Sequence, residues 1–199
     1  MSLTILSEHG FDPTTLHLKE KIKLVRESDG LLIDLLEGET IDVSLDLEGC
    51  TSLTHLPDNL KIGGGLDLYG CTSLIHIPSS LRVNEWLSLS GCSSLTYIPN
   101  NLRIGGGLDF SRCTSLIYLP DNLEVNGFLD LNRCISLTHL PNNLRVNGFL
   151  DLNRCSSLTH LPNNLRVMGW LNLENCVSLK EIPSTIQVEG EILVPDHLK

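Results

Sequence analysis

Hydrophobic and polar positions alternate strictly in the segment "FLDLN", where Leu150 and Leu152 are separated by Phe149, Asp151 and Asn153. Alternation with a period of two predicts a strand with one face in a core. Cys155 follows three residues after Leu152 and closes the strand as a small inward-pointing hydrophobe. Leu158, Leu161 and Leu165 then recur at spacings of three and four, which would suit a helix. Pro162 lies inside that stretch and leaves no room for a second turn, so extended segments and a turn of 3₁₀ are expected instead. The same pattern returns along the chain. The twenty-one residues from Asn126 to Val146 are repeated from Asn147 to Val167 with one difference, Ile135 against Ser156. Cysteines recur every 21 residues at Cys50, Cys71, Cys92, Cys113, Cys134, Cys155 and Cys176. Prolines keep the same interval from Pro57 to Pro183, and only Pro13 and Pro195 stand apart. The unit reads V-x-G-x-L-D-L-x-x-C-x-S-L-x-x-L-P-x-N-L-x, in seven copies without insertion or deletion.

A fixed period of this kind predicts a solenoid, in which each coil buries its apolar edge only against its neighbours. The register extends backwards through Leu32, Leu35 and Ile41, and forwards through Ile192 and Val194, giving about eight coils. The organisation expected is a cap over residues 1–40 (helix plus degenerate first repeat), seven repeats over 41–194 and a tail over 195–199, in one continuous domain. One short strand per coil makes a parallel sheet with about 4.8 Å between strands, and hence a shallow arc about 35 Å long. The Val-x-Gly step reads as a corner. Its third position is glycine in five coils but Glu85 in another, so it faces solvent, since a buried unpaired carboxylate is costly. At the N-terminus, Thr14 to Gly30 reads as a capping helix with Thr15 as N-cap, Leu18, Ile22 and Val25 as its apolar stripe and Gly30 as its stop. Pro195 and nearby charges in "EGEILVPDHLK" discourage further stacking at the other end.

The segment "LDLNRCSSLTHLP" resembles the leucine-rich repeat core L-x-L-x-x-(N/C)-x-L. The closing L-P pair and the short unit resemble the repeats of secreted bacterial effectors of the YopM and IpaH type. "LSLSGCSSLTYIP" also resembles repeats of plant immune receptors. The resemblance covers roughly residues 41–194 and implies a leucine-rich repeat solenoid, α/β by convention but mostly β and coil, with its sheet on the concave face. A parallel β-helix-like solenoid is the alternative. Two departures matter. Cys stands where the effector repeats carry Asn, with one more residue before the next Leu. The sequence given also leaves no room for the ubiquitin-ligase domain of IpaH-like proteins, and its cysteines are all repeat cysteines, so ligase activity is not carried over.

Composition narrows the function classes. Hydrophobic residues make up 41% of 199 and charged residues 19%, which suits a folded chain, and aromatics at 5% demand an aliphatic core. No apolar run reaches the roughly 20 residues of a membrane helix. The N-terminus lacks the basic and apolar regions of a Sec signal. A net charge of −10 argues against nucleic acid, and the acidity is uneven, at −7 over residues 1–50 and −3 over the rest. An unbroken cysteine series of odd number is better read as a reduced packed ladder than as disulfides, which points to a reducing compartment.

Three surface columns carry candidate chemistry. The position before the first strand leucine holds Gly65, Trp86, Gly107, Phe128, Phe149 and Trp170. These rings either anchor a partner or bury against neighbouring coils and cover the sheet edge. The next exposed column holds Asp46, Asp67, Ser88, Asp109, Asp130, Asp151 and Asn172, with Asn132 and Asn153 two residues beyond the last aspartates. Stacked aspartates repel, so something must offset them. The candidates are a salt ladder with Arg112, Arg133 and Arg154, or a basic partner. A third column, on the convex side, holds His55, His76, Tyr97, Tyr118, His139 and His160. No second ligand type accompanies the histidines, so covering rings are expected rather than a metal site.

No nucleophile, base and orienter stand apart from the repeat, so the expectation is no enzyme, no cofactor and no metal. The reading at this stage is a monomeric protein-interaction scaffold of a cytoplasmic or non-Sec-exported kind, such as an effector, binding a protein on the concave face. The site residues expected are Trp86, Phe128, Phe149, Trp170, Asp67, Asp109, Asp130, Asp151, Asn132 and Asn153. The alternative is a carbohydrate or other extended-surface binder. The irregular column of Thr51, Thr72, Ser93, Thr114, Ile135, Ser156 and Val177 argues against the latter.

Overall fold

The computed structural model describes residues 15–121 and 123–199. Its axis is an eight-stranded parallel sheet built from Leu45–Asp46, Leu66–Asp67, Leu87–Ser88, Leu108–Asp109, Leu129–Asp130, Leu150–Asp151, Leu171–Asn172 and Ile192–Leu193. Neighbours pair in register at the 21-residue interval, Leu129 opposite Leu150 and Asp130 opposite Asp151. The hydrogen bonds run beyond the two-residue strands: Leu129 N–H donates to Phe149 O at 2.9 Å, Leu131 to Asp151 O at 2.8 Å and Arg133 to Asn153 O at 2.8 Å. A solenoid of stacked coils is therefore the fold.

The far side holds the expected extended segments, and they pair as strands. A second row of strands precedes the glycine corner. It forms two four-stranded parallel sheets, Thr40–Ile41 to Arg103–Ile104 and Glu124–Val125 to Gln187–Val188. The reason lies in the segment L-R-V: its Leu and Val point alternately inward around an exposed Arg, and the residue after the proline turn is already extended. Leu144 and Val146 are buried and Arg145 is exposed. A third row is reduced to isolated parallel bridges, His55 to His76, Tyr97 to Tyr118 and His139 to His160. Three extended rows around one core bring the chain close to the β-helix-like alternative. Glu85 is exposed at its corner, as its charge required.

The core is one continuous stack of leucines, isoleucines, valines and the cysteine column, with Phe110 the one large ring fully enclosed. All seven cysteines are free and buried. Each from the second onwards donates its thiol to a carbonyl of the preceding coil: Cys71 Sγ to Leu47 O at 3.2 Å, Cys134 Sγ to Phe110 O at 3.1 Å, Cys176 Sγ to Leu152 O at 3.0 Å. The same carbonyl accepts the backbone N–H three residues on, as Phe110 O does from Cys113 N–H at 3.0 Å. The thiol thus occupies the second lone pair of a carbonyl at the strand end, where the coil turns and the sheet ladder has stopped.

The N-terminal cap begins with α1, Leu18–Glu27. Its N-cap is His17, not Thr15. Glu20 at the third helical position accepts the His17 N–H at 2.8 Å, which is half of a capping box, and this fixes the start two residues later than a threonine cap would. Thr14 lies outside the described residues. Val25 is fully buried, and Leu18 and Ile22 pack against the core edge. Gly30, at φ +82°, donates its N–H to Val25 O at 2.8 Å and ends the helical path. Lys21 to Glu39 at 2.6 Å and Arg26 to Asp46 at 2.7 Å tie the helix to the first coil. Asp29 closes the same joint by accepting the N–H groups of Thr51 at 2.7 Å and Ser52 at 2.9 Å. At the other end Pro195 is buried and a 3₁₀ turn, Asp196–Leu198, folds over the last coil.

Candidate functional site

The eight-stranded face presents two adjacent columns, one aromatic and one acidic. In the aromatic column the rings lean back over the preceding coil. A methyl at Gly65 would collide with the Trp86 indole, and one at Gly107 with the Phe128 ring. The two glycines therefore make room for rings contributed by the next coil. From Phe128 onwards the rings form a ladder. Phe128 and Phe149 stack at 5.1 Å with planes 10° apart, and Phe149 and Trp170 at 4.4 Å with planes 2° apart. Stacking half-buries the two phenylalanines, while Trp86 and Trp170 remain 38% and 37% exposed. The rings thus cover each other, as one expectation had it, and the two indoles still present apolar surface.

The acidic column is organised differently from the expected salt ladder. None of the ion pairs among the described residues joins an aspartate of this face to Arg112, Arg133 or Arg154. Each aspartate instead accepts the backbone N–H two residues on: Asp67 from Tyr69 at 2.9 Å, Asp109 from Ser111 at 2.8 Å, Asp130 from Asn132 at 2.8 Å and Asp151 from Asn153 at 2.8 Å. Asn172 does the same for Glu174 at 3.0 Å. These Asx turns, not cations, offset the cost of Asp in a strand. The arginines follow at positive φ, +60° for Arg112 and +63° for Arg133 and Arg154, in the column that holds Gly49, Gly70 and Gly91 in earlier coils. They line a crevice with Thr114 and Ile135, away from the aspartates. The signal that could have revealed this was the glycine column itself, which marks a left-handed backbone position.

Asp46 pairs with Arg26 of the cap helix at 2.7 Å, but Asp67, Asp109, Asp130 and Asp151 make no ion pair among the described residues. Burial pushes the Asp130 carboxyl up to about 6, against the pull of its Asn132 hydrogen bond and helped by Asp109 and Asp151 on either side. Asp151 is raised too, first by burial and then by Glu174. Asn153 places its amide 3.5 Å from Glu174, while the Asn132 carbonyl accepts the Arg112 N–H. Of the expected site residues, the structure brings Phe128, Phe149 and Trp170 together with Asp109, Asp130, Asp151, Asn132 and Asn153 on four consecutive coils. Trp86 and Asp67 lie earlier on the same face, separated from that group by Gly107 in one column and Ser88 in the other.

Outside this face, His55 and His76 stack at 6.4 Å, and His55 Nε2 is 2.9 Å from Asp34 Oδ1. Among the described residues no three His, Cys, Asp or Glu side chains are grouped to hold a metal. No described helix is long and apolar enough to cross a membrane.

The fold and this face together define a class: a repeat solenoid of leucine-rich, 21-residue coils with stacked parallel strands. No family model, no curated protein and no solved structure matches the chain.

Proposed function

We propose that the chain is a non-enzymatic scaffold that binds a protein partner on its eight-stranded face. The observation that carries this reading is the exposed aromatic ladder lying beside Asp109, Asp130 and Asp151, which pair with no cation among the described residues. Aromatic rings supply contact area at low conformational cost, and unpaired acids set the sign of the partner. The buried thiols and the ring-covered histidines offer no assembled nucleophile and base, in keeping with a binding role. The column of Thr51, Thr72, Ser93, Thr114, Ile135, Ser156 and Val177 offers no regular polar row, so the carbohydrate alternative is the weaker one. The short L-P repeats favour an effector-like protein acting in a host cytosol. The partner expected is protein rather than nucleic acid or membrane, and the scaffold is expected to act as a monomer.

Capture from host lysate, with Trp86→Ala and Trp170→Ala alongside, tests the binding face. Both substitutions should lower capture, and added salt should lower it further. Undiminished capture by both variants would remove the aromatic column from the site. Delivery of a reporter fusion into host cells would test the effector part separately.

A further inference from the structure

The aromatic ladder stops at Trp170. One face of that indole is covered by Phe149 at 4.4 Å, with planes nearly parallel at 2°. The next residue in the column is Glu191, not a ring. Beyond Trp170 opens a cavity of about 580 Å³, lined by Gly169, Trp170, Asn172, Gly190, Glu191 and Leu193. Gly169 and Gly190 contribute only backbone to its wall. That volume falls within the range of pockets that enclose a side chain or a small ligand.

The lining selects the chemistry of an occupant. A flat π-face at the end of a stack accepts a planar group at ring spacing. Its negative quadrupole favours a cation over a neutral ring. Glu191 is the one charged residue of the lining, Glu174 adds negative charge on the coil of Trp170, and Asp151 adds more on the coil before it. Lys199 lies within electrostatic range of Glu174 but is engaged by Asp196 at 2.7 Å. A guanidinium is planar, always charged, and can stack on an indole while donating paired hydrogen bonds to a carboxylate. An ammonium matches the charge but not the plane.

Building on the scaffold reading above, we infer that this cavity receives an arginine side chain of the protein partner, its guanidinium extending the ring ladder over Trp170 and hydrogen-bonding Glu191. The arginine is the anchor that fixes register along the otherwise repetitive face, where one coil looks much like the next. The indole is a positioning surface and Glu191 supplies the charge selection.

The test uses the whole chain carrying Trp86→Phe, which leaves Trp170 as the single tryptophan of the two. The probe is the blocked tripeptide Gly-Arg-Gly, titrated against its lysine and citrulline counterparts while Trp170 emission is read. Saturable change is expected with the arginine peptide, weaker change with lysine and none with citrulline, which has the shape without the charge. Glu191→Gln should weaken arginine binding about three- to tenfold while thermal unfolding shows the fold intact. An arginine peptide without saturable effect, a citrulline peptide that binds as well, or an unchanged Glu191→Gln affinity each overturns the inference. If the tripeptide fails while Trp86→Ala still abolishes partner capture, the arginine site falls and the scaffold reading stands. If the tripeptide binds while capture is untouched by every aromatic substitution, the reverse holds.

Discussion

At the level of single residues, the cysteine column shows how one side chain can serve both packing and hydrogen bonding. Each thiol from Cys71 onwards is a small apolar group in the core and a donor to the carbonyl of the coil before it. A thiol that is donating cannot also be a thiolate, and burial opposes ionisation further. Desolvation pushes Cys71 and Cys113 up to about 12 and Cys176 to about 11, and Cys134 and Cys155 are raised strongly as well. At pH 8 the native protein should therefore consume a thiol-exchange reagent very slowly, and all seven cysteines should titrate only in denaturant. Cys50, in the first coil and 4% exposed where the others are fully enclosed, should react first. Asp130 behaves in the opposite sense to a paired carboxylate. Its folded value of about 6 lies above the ordinary carboxylate range, so between about pH 4 and 6 the native state binds more protons than the unfolded chain. Stability contributed at this position falls as pH rises through that window and stays low above it. Asp130→Asn keeps the acceptor, as Asn172 demonstrates, and removes the charge. At pH 7 it should stabilise by ~1 kcal/mol, less than the full shift because solvent screens a partly exposed group, and the gain should vanish near pH 4. Thermal unfolding at the two pH values checks it. A gain that persists at pH 4 would mean that charge is not the cause.

The elements are two-residue strands joined by turns, so the turns set the geometry. Every coil needs a left-handed residue after its Asx turn, three positions beyond the aspartate. Gly49, Gly70 and Gly91 take it at φ of 71–76°, and Arg112, Arg133 and Arg154 take it with a side chain. For a residue with a Cβ the left-handed region costs about 1–2 kcal/mol, of which glycine recovers a part after its own entropy loss. Arg133→Gly should stabilise by ~0.5–1 kcal/mol and Gly70→Val should destabilise by ~1–2 kcal/mol, both read from urea midpoints. No change in either would place the strain elsewhere. This column also marks the limit of what the sequence made legible. The inner strands, the eight-coil count and the buried cysteines follow from periodicity, because a fixed interval repeats every packing relation. The arginine column was read as the aspartates' counter-charge because spacing along the chain carries no direction. The turn points the arginines towards Thr114 and Ile135 instead. The far side was read as extended, but not as paired strands, because a three-residue L-R-V segment is too short to show alternation on its own. It becomes a strand only when the next coil supplies its hydrogen bonds.

For the whole molecule, stability should be a sum of coil-to-coil interfaces, and these interfaces are not equal. The inner sheet is continuous across all eight strands, but the outer row splits between Arg103–Ile104 and Glu124–Val125. Elsewhere the residue after the outer strand donates across the junction: Asn84 N–H to Ile62 O at 2.9 Å, Gly105 to Val83 O at 3.0 Å, Asn147 to Val125 O at 2.9 Å. Asn126 makes no such bond to Ile104 O. Packing loosens at the same place, since Leu102, Ile104 and Leu123 are only half-buried where their counterparts Leu144 and Val146 are enclosed. A crevice lined by Leu102, Ile104, Glu124 and Asn126 opens between the two halves. Glu124 stands where the neighbouring coils carry Arg103 and Arg145, and it meets Arg145 at 3.8 Å. An amide that lacks a partner and lies beside loosened packing opens without global unfolding. Hydrogen exchange should therefore be faster at Asn126 than at the equivalent Asn84 and Asn147, while the amides of Leu108 and Leu129 on the continuous inner sheet exchange slowly. Under mild denaturant the two halves of the outer row should lose protection at different concentrations. Equal protection at Asn84, Asn126 and Asn147 would mean that the outer row is as continuous as the inner one.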